Sequence, residues 1–120
     1  RMLEQAKRVI ASGDPSKPHV ILQLLSNVTR EQLEWLWPGR IPLGKLTLLA
    51  GDPGLGKSFV TLDIAARVSR GERWPDNPLQ RQPPGKVILM NCEDDLNDTI
   101  APRLDKADAD DTKIIVLEGI

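Results

Sequence analysis

Gly51-Asp52-Pro53-Gly54-Leu55-Gly56-Lys57-Ser58 is a run whose residue types and spacing suit one kind of chemistry, the cradling of a polyphosphate. It fits the pattern G-x-x-x-x-G-K-[ST]. A loop that wraps phosphates turns successive backbone N–H groups inward as an anion nest, and this needs backbone angles that glycine adopts at little steric cost. Gly51, Gly54 and Gly56 supply that freedom, and Pro53 limits the loop's entropy by fixing its own φ. Lys57 and Ser58 open a helix whose unpaired N–H groups and positive dipole end favour anions. There the Lys57 ammonium reaches the β- and γ-phosphates and the Ser58 hydroxyl ligates Mg²⁺. The expected nucleotide-contacting set is Gly51, Asp52, Pro53, Gly54, Leu55, Gly56, Lys57, Ser58 and Phe59, with a nucleoside triphosphate and Mg²⁺ as the ligands. A Gly-rich turn that carries Lys-Ser by accident is the bland alternative.

A second cluster, Cys92-Glu93-Asp94-Asp95, directly follows the apolar run Lys86 to Asn91. In open α/β sheets, ligands sit outside the carboxyl ends of the strands. Three acids at that edge, on the side of the phosphate loop, are electrostatically costly without a cation or a catalytic duty. A bound Mg²⁺-triphosphate needs a group that orients the attacking water, and Glu93, nearest the strand end, is the candidate. Asp94 and Asp95 also suit helix capping and dipole compensation. For Asp95 capping is the preferred reading, of a helix beginning near Leu96.

These groups need elements to hold them. Leu46 to Ala50 is an apolar run expected as the strand that feeds the phosphate loop. Val60, Ile64 and Val68, widened by Phe59, Leu62 and Ala66, give a helical stripe from about Lys57 to Arg70, with Gly71 as its stop. Lys86 to Asn91 and Lys113 to Leu117 read as strands buried on both faces. Pro102 is expected to kink the helix between them. Strand, helix, strand, helix, strand implies α/β architecture with a parallel sheet and right-handed crossovers. Upstream, residues 1–11 read as a short helix and Ser12 to Pro18 as a linker. His19 to Val28 reads as a strand, and Arg30 to Leu36 as a helical turn or two. Trp35 and Trp37 are expected to cover the sheet edge, with a base-stacking surface as the alternative. Glu72 to Gly85, with four prolines, reads as a long irregular connection that Trp74 anchors; adenine stacking is the alternative for that tryptophan.

Composition excludes several classes. Sixteen basic residues against 17 acidic ones leave no electrostatic footprint for nucleic acid. One Cys and one His exclude an intrachain disulfide and a Cys/His zinc site. No apolar stretch approaches a membrane span and no signal-peptide pattern opens the chain, so a cytoplasmic protein with no membrane partner is expected.

The run WLWPGRIPLGKLTLLAGDPGLGKS, the helix ending in SRG, and the strand followed by CEDD with IAPRL downstream resemble RecA-like ATPases. They are most similar to those of phages, plasmids and integrated elements, among which hexameric plasmid replicative helicases are the nearest characterised group. The resemblance spans about residues 20–120. It implies a three-layer αβα P-loop NTPase with a mostly parallel sheet, residues 1–18 forming an N-terminal helix and linker and residues 19–120 the N-terminal part of the ATPase domain. It assigns Gly51 to Ser58 to the Walker A loop, catalytic roles to Lys57 and Glu93, and a place near the metal to Ser58 and Asp94. It also implies ATP hydrolysis coupled to DNA replication or mobilisation, a homo-oligomeric ring, DNA as partner and an adjacent primase-type domain. The family's Walker B strand would lie beyond Ile120, so the resemblance presents this chain as truncated before it, with exposed sheet edges. A P-loop small-molecule or nucleotide kinase is the rival function, opposed by a connection holding only Arg73 and Arg81. A binding-only module without turnover is a third reading.

Overall fold

The computed structural model describes residues 18–90 and 94–118. The expected helix over 1–11, most of the linker after it, Cys92 and Glu93 lie outside the described residues. The chain separates into two units, Arg1–Glu34 and Trp35–Ile120.

In the first unit the expected strand over 19–28 does not form. A strand exists only where a partner takes its N–H and C=O groups; no ladder among the described residues includes this run, and at its end local bonds close a turn instead. Asn27 N–H donates to Leu24 O (2.9 Å) and Val28 N–H to Leu25 O (3.1 Å), closing a 3₁₀ turn over Leu25–Asn27. Arg30 Nη1 then donates to the carbonyls of Leu25 (2.9 Å) and Val28 (2.6 Å). The helical turn expected from Arg30 is also absent, because Trp35–Trp37 is a strand.

That strand, β1 (Trp35–Trp37), pairs antiparallel with β2 (Ile41–Pro42), Trp37 opposite Ile41 and Trp35 opposite Pro42. The tryptophans thus build a small ladder of their own; they do not cover the edge of the core sheet. Gly39 turns the chain between them at φ +77°. Trp37 stacks on Trp74, ring centroids 4.6 Å apart and planes within 4°. The Trp74 indole N–H donates to Leu36 O (3.0 Å), and the Trp37 indole N–H donates to Asp76 Oδ1 (2.8 Å). Arg40 donates to the other Asp76 oxygen at 3.2 Å and lies over the Trp37 ring. Trp74 is only 3% exposed, which makes it the anchor of the irregular connection, as expected.

Helix α1 (Lys57–Arg70) has the expected ends. Its last turn closes as a Schellman motif: Gly71 sits at φ +66° and donates to Val68 O (3.3 Å), and Glu72 donates to Arg67 O (2.8 Å). The connection returns past this end, with Gly85 N–H on Val68 O at 2.8 Å. The buried face of α1 is Leu62, Ala65, Ala66 and Ser69. Of the expected stripe, Leu62 and Ala66 are buried, Ile64 and Val68 half-buried, and Val60 and Phe59 exposed. Small residues sit on the inner face because they permit close approach. The Ser69 hydroxyl is fully buried, donates to Ala66 O (2.7 Å) and accepts from Asp110 N–H (2.9 Å).

β3 (Val87–Met90) pairs parallel with β4 (Ile114–Leu117), Val87 opposite Ile114 through Met90 opposite Leu117. Between them a wide π turn over Leu96–Ile100 runs into α2 (Ala101–Lys106). The expected proline kink takes this form: Pro102 has no N–H to give the carbonyl four residues earlier, and the chain widens there before regular helix begins. Leu62 and Ala65 of α1 pack with Ile100 and Leu104, backed by Val87, Leu89 and Ile114. The strands alternate between half-buried and exposed residues and are not buried on both faces as expected; Ile88, Met90 and Ile115 on the far face are more than half exposed. Leu46 to Ala50 likewise belongs to no ladder, with Leu46 95% and Leu48 85% exposed. Its apolar residues have strand chemistry but no neighbouring backbone among the described residues to pair with. None of the described helices is long and apolar enough to cross a membrane.

Two outcomes follow from this framework. A Cβ at Gly71 would stand 2.3 Å from Gln82 O and 2.8 Å from Pro84 N, besides straining the left-handed backbone. Gly71→Ala should lower stability by about 2 kcal/mol or more in urea unfolding. Asp76 is held below its ordinary value of 3.8, first by the Trp37 indole N–H and less by Arg40. A depressed carboxylate stabilises the fold above its unfolded value and loses that contribution as pH falls through the folded one. Melting temperature should therefore drop with acidification below about pH 4, and Asp76→Asn should flatten that part of the profile.

Candidate functional site

The phosphate loop runs from the exposed segment Leu46–Ala50 into α1. Gly54 at φ +83° and Gly56 at φ +87° take the left-handed angles that the sequence demanded. Gly56 caps α1 without any side-chain hydrogen bond, so the first turn's N–H groups are the donors offered to an anion. The Lys57 ammonium folds back over the loop, donating to the carbonyls of Gly51 and of Asp52 (2.9 Å to the latter). Those bonds hold the cation where phosphate oxygens would otherwise be its acceptors. Thr61, one turn on, donates to Lys57 O at 3.0 Å.

Two adjoining cavities border this loop. The larger, about 500 Å³, is lined by Pro53, Gly54, Gly56, Lys57, Ser58 and Phe59, together with Asp94 and Arg103. The smaller, about 250 Å³, lies between α1 and the end of β3, with Lys57, Ser58, Thr61, Leu89, Met90 and Asp94 in its walls. The structure therefore brings Lys57 and Ser58 together with Asp94, on the side of the sheet where the strand ends. Glu93, the expected water-orienting residue, lies outside the described residues. Asp95 is a cap: its Oδ1 accepts from Asn97 N–H (2.8 Å) and Asp98 N–H (3.1 Å).

Among the described residues no group of three or more His, Cys, Asp or Glu side chains is placed to hold a metal. Mg²⁺ as it is used with nucleotides needs only one or two protein oxygens, phosphates and waters supplying the rest. The Ser58 hydroxyl and the Asp94 carboxylate, walls of the same two cavities, are the oxygen donors available for that role.

Arg103 is the site residue that sequence reasoning missed. Its guanidinium carbon lies 4.3 Å from the centre of the Phe59 ring, and its Nη1 lies 3.9 Å from Asp94 Oδ2. Only its place on the helix returning from the acidic cluster hinted at this, since nothing in the spacing of Ile100 to Leu104 says which way that helix turns.

With the loop, the helix and the strand-end acid in one place, comparison with known proteins becomes decisive. A family model described as AAA domain matches residues 14–117. The chain belongs to the AAA domain family. At that level it is a RecA-like P-loop ATPase domain of α/β class, built to bind nucleotide. The DNA repair protein RadA of Mycolicibacterium smegmatis (strain ATCC 700084 / mc(2)155) is 38% identical over 68 residues, 52% of this chain and 14% of that protein. The DNA repair protein RadA of Streptococcus pneumoniae (strain ATCC BAA-255 / R6) is 36% identical over 70 residues, 52% of this chain and 16% of that protein. The chain thus spans about one-seventh of the length of the curated relatives it matches. No solved structure matches this AAA domain significantly.

The capping role of Asp95 separates it from the chemistry. Asp95→Ala should lower stability by about 1 kcal/mol in a urea melt while leaving the affinity for Mg-ATP within a factor of about two, measured by titration calorimetry.

Proposed function

We propose that the whole protein is an Mg²⁺-dependent ATP hydrolase of the RecA-like class, coupled to DNA in replication or mobilisation and working as a homo-oligomeric ring. In this reading residues 19–120 are the N-terminal part of its ATPase domain, residues 1–18 a preceding helix and linker, and a primase-type domain its neighbour. The observation that carries the proposal is the meeting of Lys57, Ser58 and Asp94 around two adjoining cavities at the strand end. The similarity to two RadA proteins supports the link to DNA.

In this mechanism the backbone amides of Gly54 to Lys57 grip the phosphates, with Gly51 to Leu55 shaping the loop and Phe59 bordering it. Lys57 leaves the carbonyls of Gly51 and Asp52 and neutralises charge that builds on the γ-phosphate oxygens. Glu93 orients the attacking water and takes up its proton as the water oxygen bonds to the γ-phosphorus, while the bond from that phosphorus to the β–γ bridging oxygen breaks and ADP leaves. Ser58 and Asp94 would help hold Mg²⁺, which when bound would supply further charge stabilisation on the phosphate oxygens. The strand carrying a second metal-holding aspartate and the DNA-contacting loops are assigned to the remainder of the whole protein. Such a strand, set between Leu46–Ala50 and β3, would give that exposed run its missing ladder.

Lys57→Ala should abolish hydrolysis in the whole protein and weaken nucleotide binding at least tenfold. Glu93→Gln should retain binding and lower kcat by a hundredfold or more, on the order expected for a lost general base. Wild-type turnover by Glu93→Gln would remove Glu93 from the mechanism. Stimulation of hydrolysis by single-stranded DNA separates the DNA-coupled reading from phosphate transfer to a small acceptor.

A further inference from the structure

Asp94 poses an electrostatic problem. It borders both cavities beside Lys57 and Ser58, so its carboxylate faces whatever the loop holds. Like charges a few ångströms apart in a partly desolvated site repel strongly, and a polyphosphate brings several negative charges. The structure places a cation against this carboxylate. Arg103 Nη1 is 3.9 Å from Asp94 Oδ2, and the two side chains are 32% and 37% exposed. The guanidinium is steadied on another side by the Phe59 ring at 4.3 Å. Phe59 follows Ser58 on the first turn of α1, so one guanidinium ties the phosphate-binding helix to the acid at the end of β3.

We propose that Arg103 is a positioning residue that offsets the charge of Asp94 and so lets the site accept a metal-free polyphosphate. That service matters less once a divalent cation accompanies the nucleotide, because the cation then faces the same carboxylate. The inference rests on the nucleotide-binding reading above. It makes Arg103 act through Asp94 and Phe59, not through the base of the nucleotide, although a guanidinium lying on a ring has a second face on which a base would stack.

The test uses the whole protein, with inorganic tripolyphosphate and ATP as probes, each titrated calorimetrically in EDTA and in Mg²⁺. Arg103→Ala should weaken metal-free tripolyphosphate and metal-free ATP by the same factor, roughly tenfold. It should weaken the Mg²⁺ forms by less than about threefold. Adding Asp94→Asn to Arg103→Ala should restore most of the metal-free affinity, a rescue that a purely packing role would not give. Arg103→Lys keeps the charge without the planar stack and should bind nearly as the parent does, which covers the case of an alanine variant that folds poorly. Loss of ATP affinity with tripolyphosphate unaffected would overturn the proposal in favour of base stacking. Equal losses with and without metal, or no rescue by Asp94→Asn, would overturn it in favour of packing. A parent protein that binds neither probe with Mg²⁺ would sink the nucleotide reading itself, whereas a parent that binds beside a silent Arg103→Ala would sink this inference alone.

Discussion

Leu62 and Ala65 of α1, buried against Ile100 and Leu104, are the contact on which the geometry of the site depends. This cluster fixes α1 against the helix that returns from the acidic end of β3. It thereby sets how far the phosphate loop stands from Asp94. Each large aliphatic side chain buried there contributes about 1.5–3 kcal/mol, whereas the charged groups at the site keep a third or so of their surface in solvent and add little to folding. Stability and chemistry are therefore divided between opposite ends of one helix. Its first turn is left to the ligand, and its middle and last turns hold it down through Leu62, Ala65 and the buried Ser69 hydroxyl on Asp110 N–H.

The loop itself is held only at its ends. Upstream, the small β1–β2 ladder is tied down by the Trp37–Trp74 stack and by Asp76, which bonds both Trp37 and Arg40. Downstream lies α1. Between these anchors Leu43 to Leu55 is exposed backbone without ladder bonds. Three left-handed glycines, Gly44, Gly54 and Gly56, and the Lys57 ammonium on two loop carbonyls give it its shape. Binding a polyanion would exchange the lysine's internal acceptors for phosphate oxygens at little cost in backbone order.

What the sequence disclosed depended on how local the cause was. The phosphate loop was legible because its backbone angles admit glycine and little else. Both ends of α1 were legible because Gly56 and Gly71 mark them, and the Asp95 cap because its partners are two and three residues away. Strand status was not legible for Leu46–Ala50 or His19–Val28, since a strand is a property of two backbones and the apolar run states only one of them. The buried face of α1 was legible at Leu62 and Ala66 and missed at Ala65 and Ser69, because Val60 and Ile64 are more apolar while close packing favours the smaller pair. Arg103 escaped notice because its meaning is tertiary: Phe59 and Asp94 become its neighbours only when α2 folds back across α1.

The charges around the loop form a balanced set with unequal freedom. Asp95 is committed to the backbone of the turn it caps, so the strand end carries less mobile negative charge than its sequence suggests. Lys57 is held by neutral carbonyls, which compete weakly with phosphate for an ammonium. Arg103 is held by an aromatic face and a carboxylate at the long end of ion-pair distance. Lys57 is thus retained near the loop yet cheaply released, as a site for a polyanion requires, whereas Arg103 stays against its carboxylate and offsets that charge. A cation locked in a short bidentate pair would have to break charge-assisted bonds before meeting its ligand, and a cation left in solvent would sacrifice side-chain entropy on binding. Lys57 avoids both costs, because the fold places it beside carbonyl acceptors weak enough to lose.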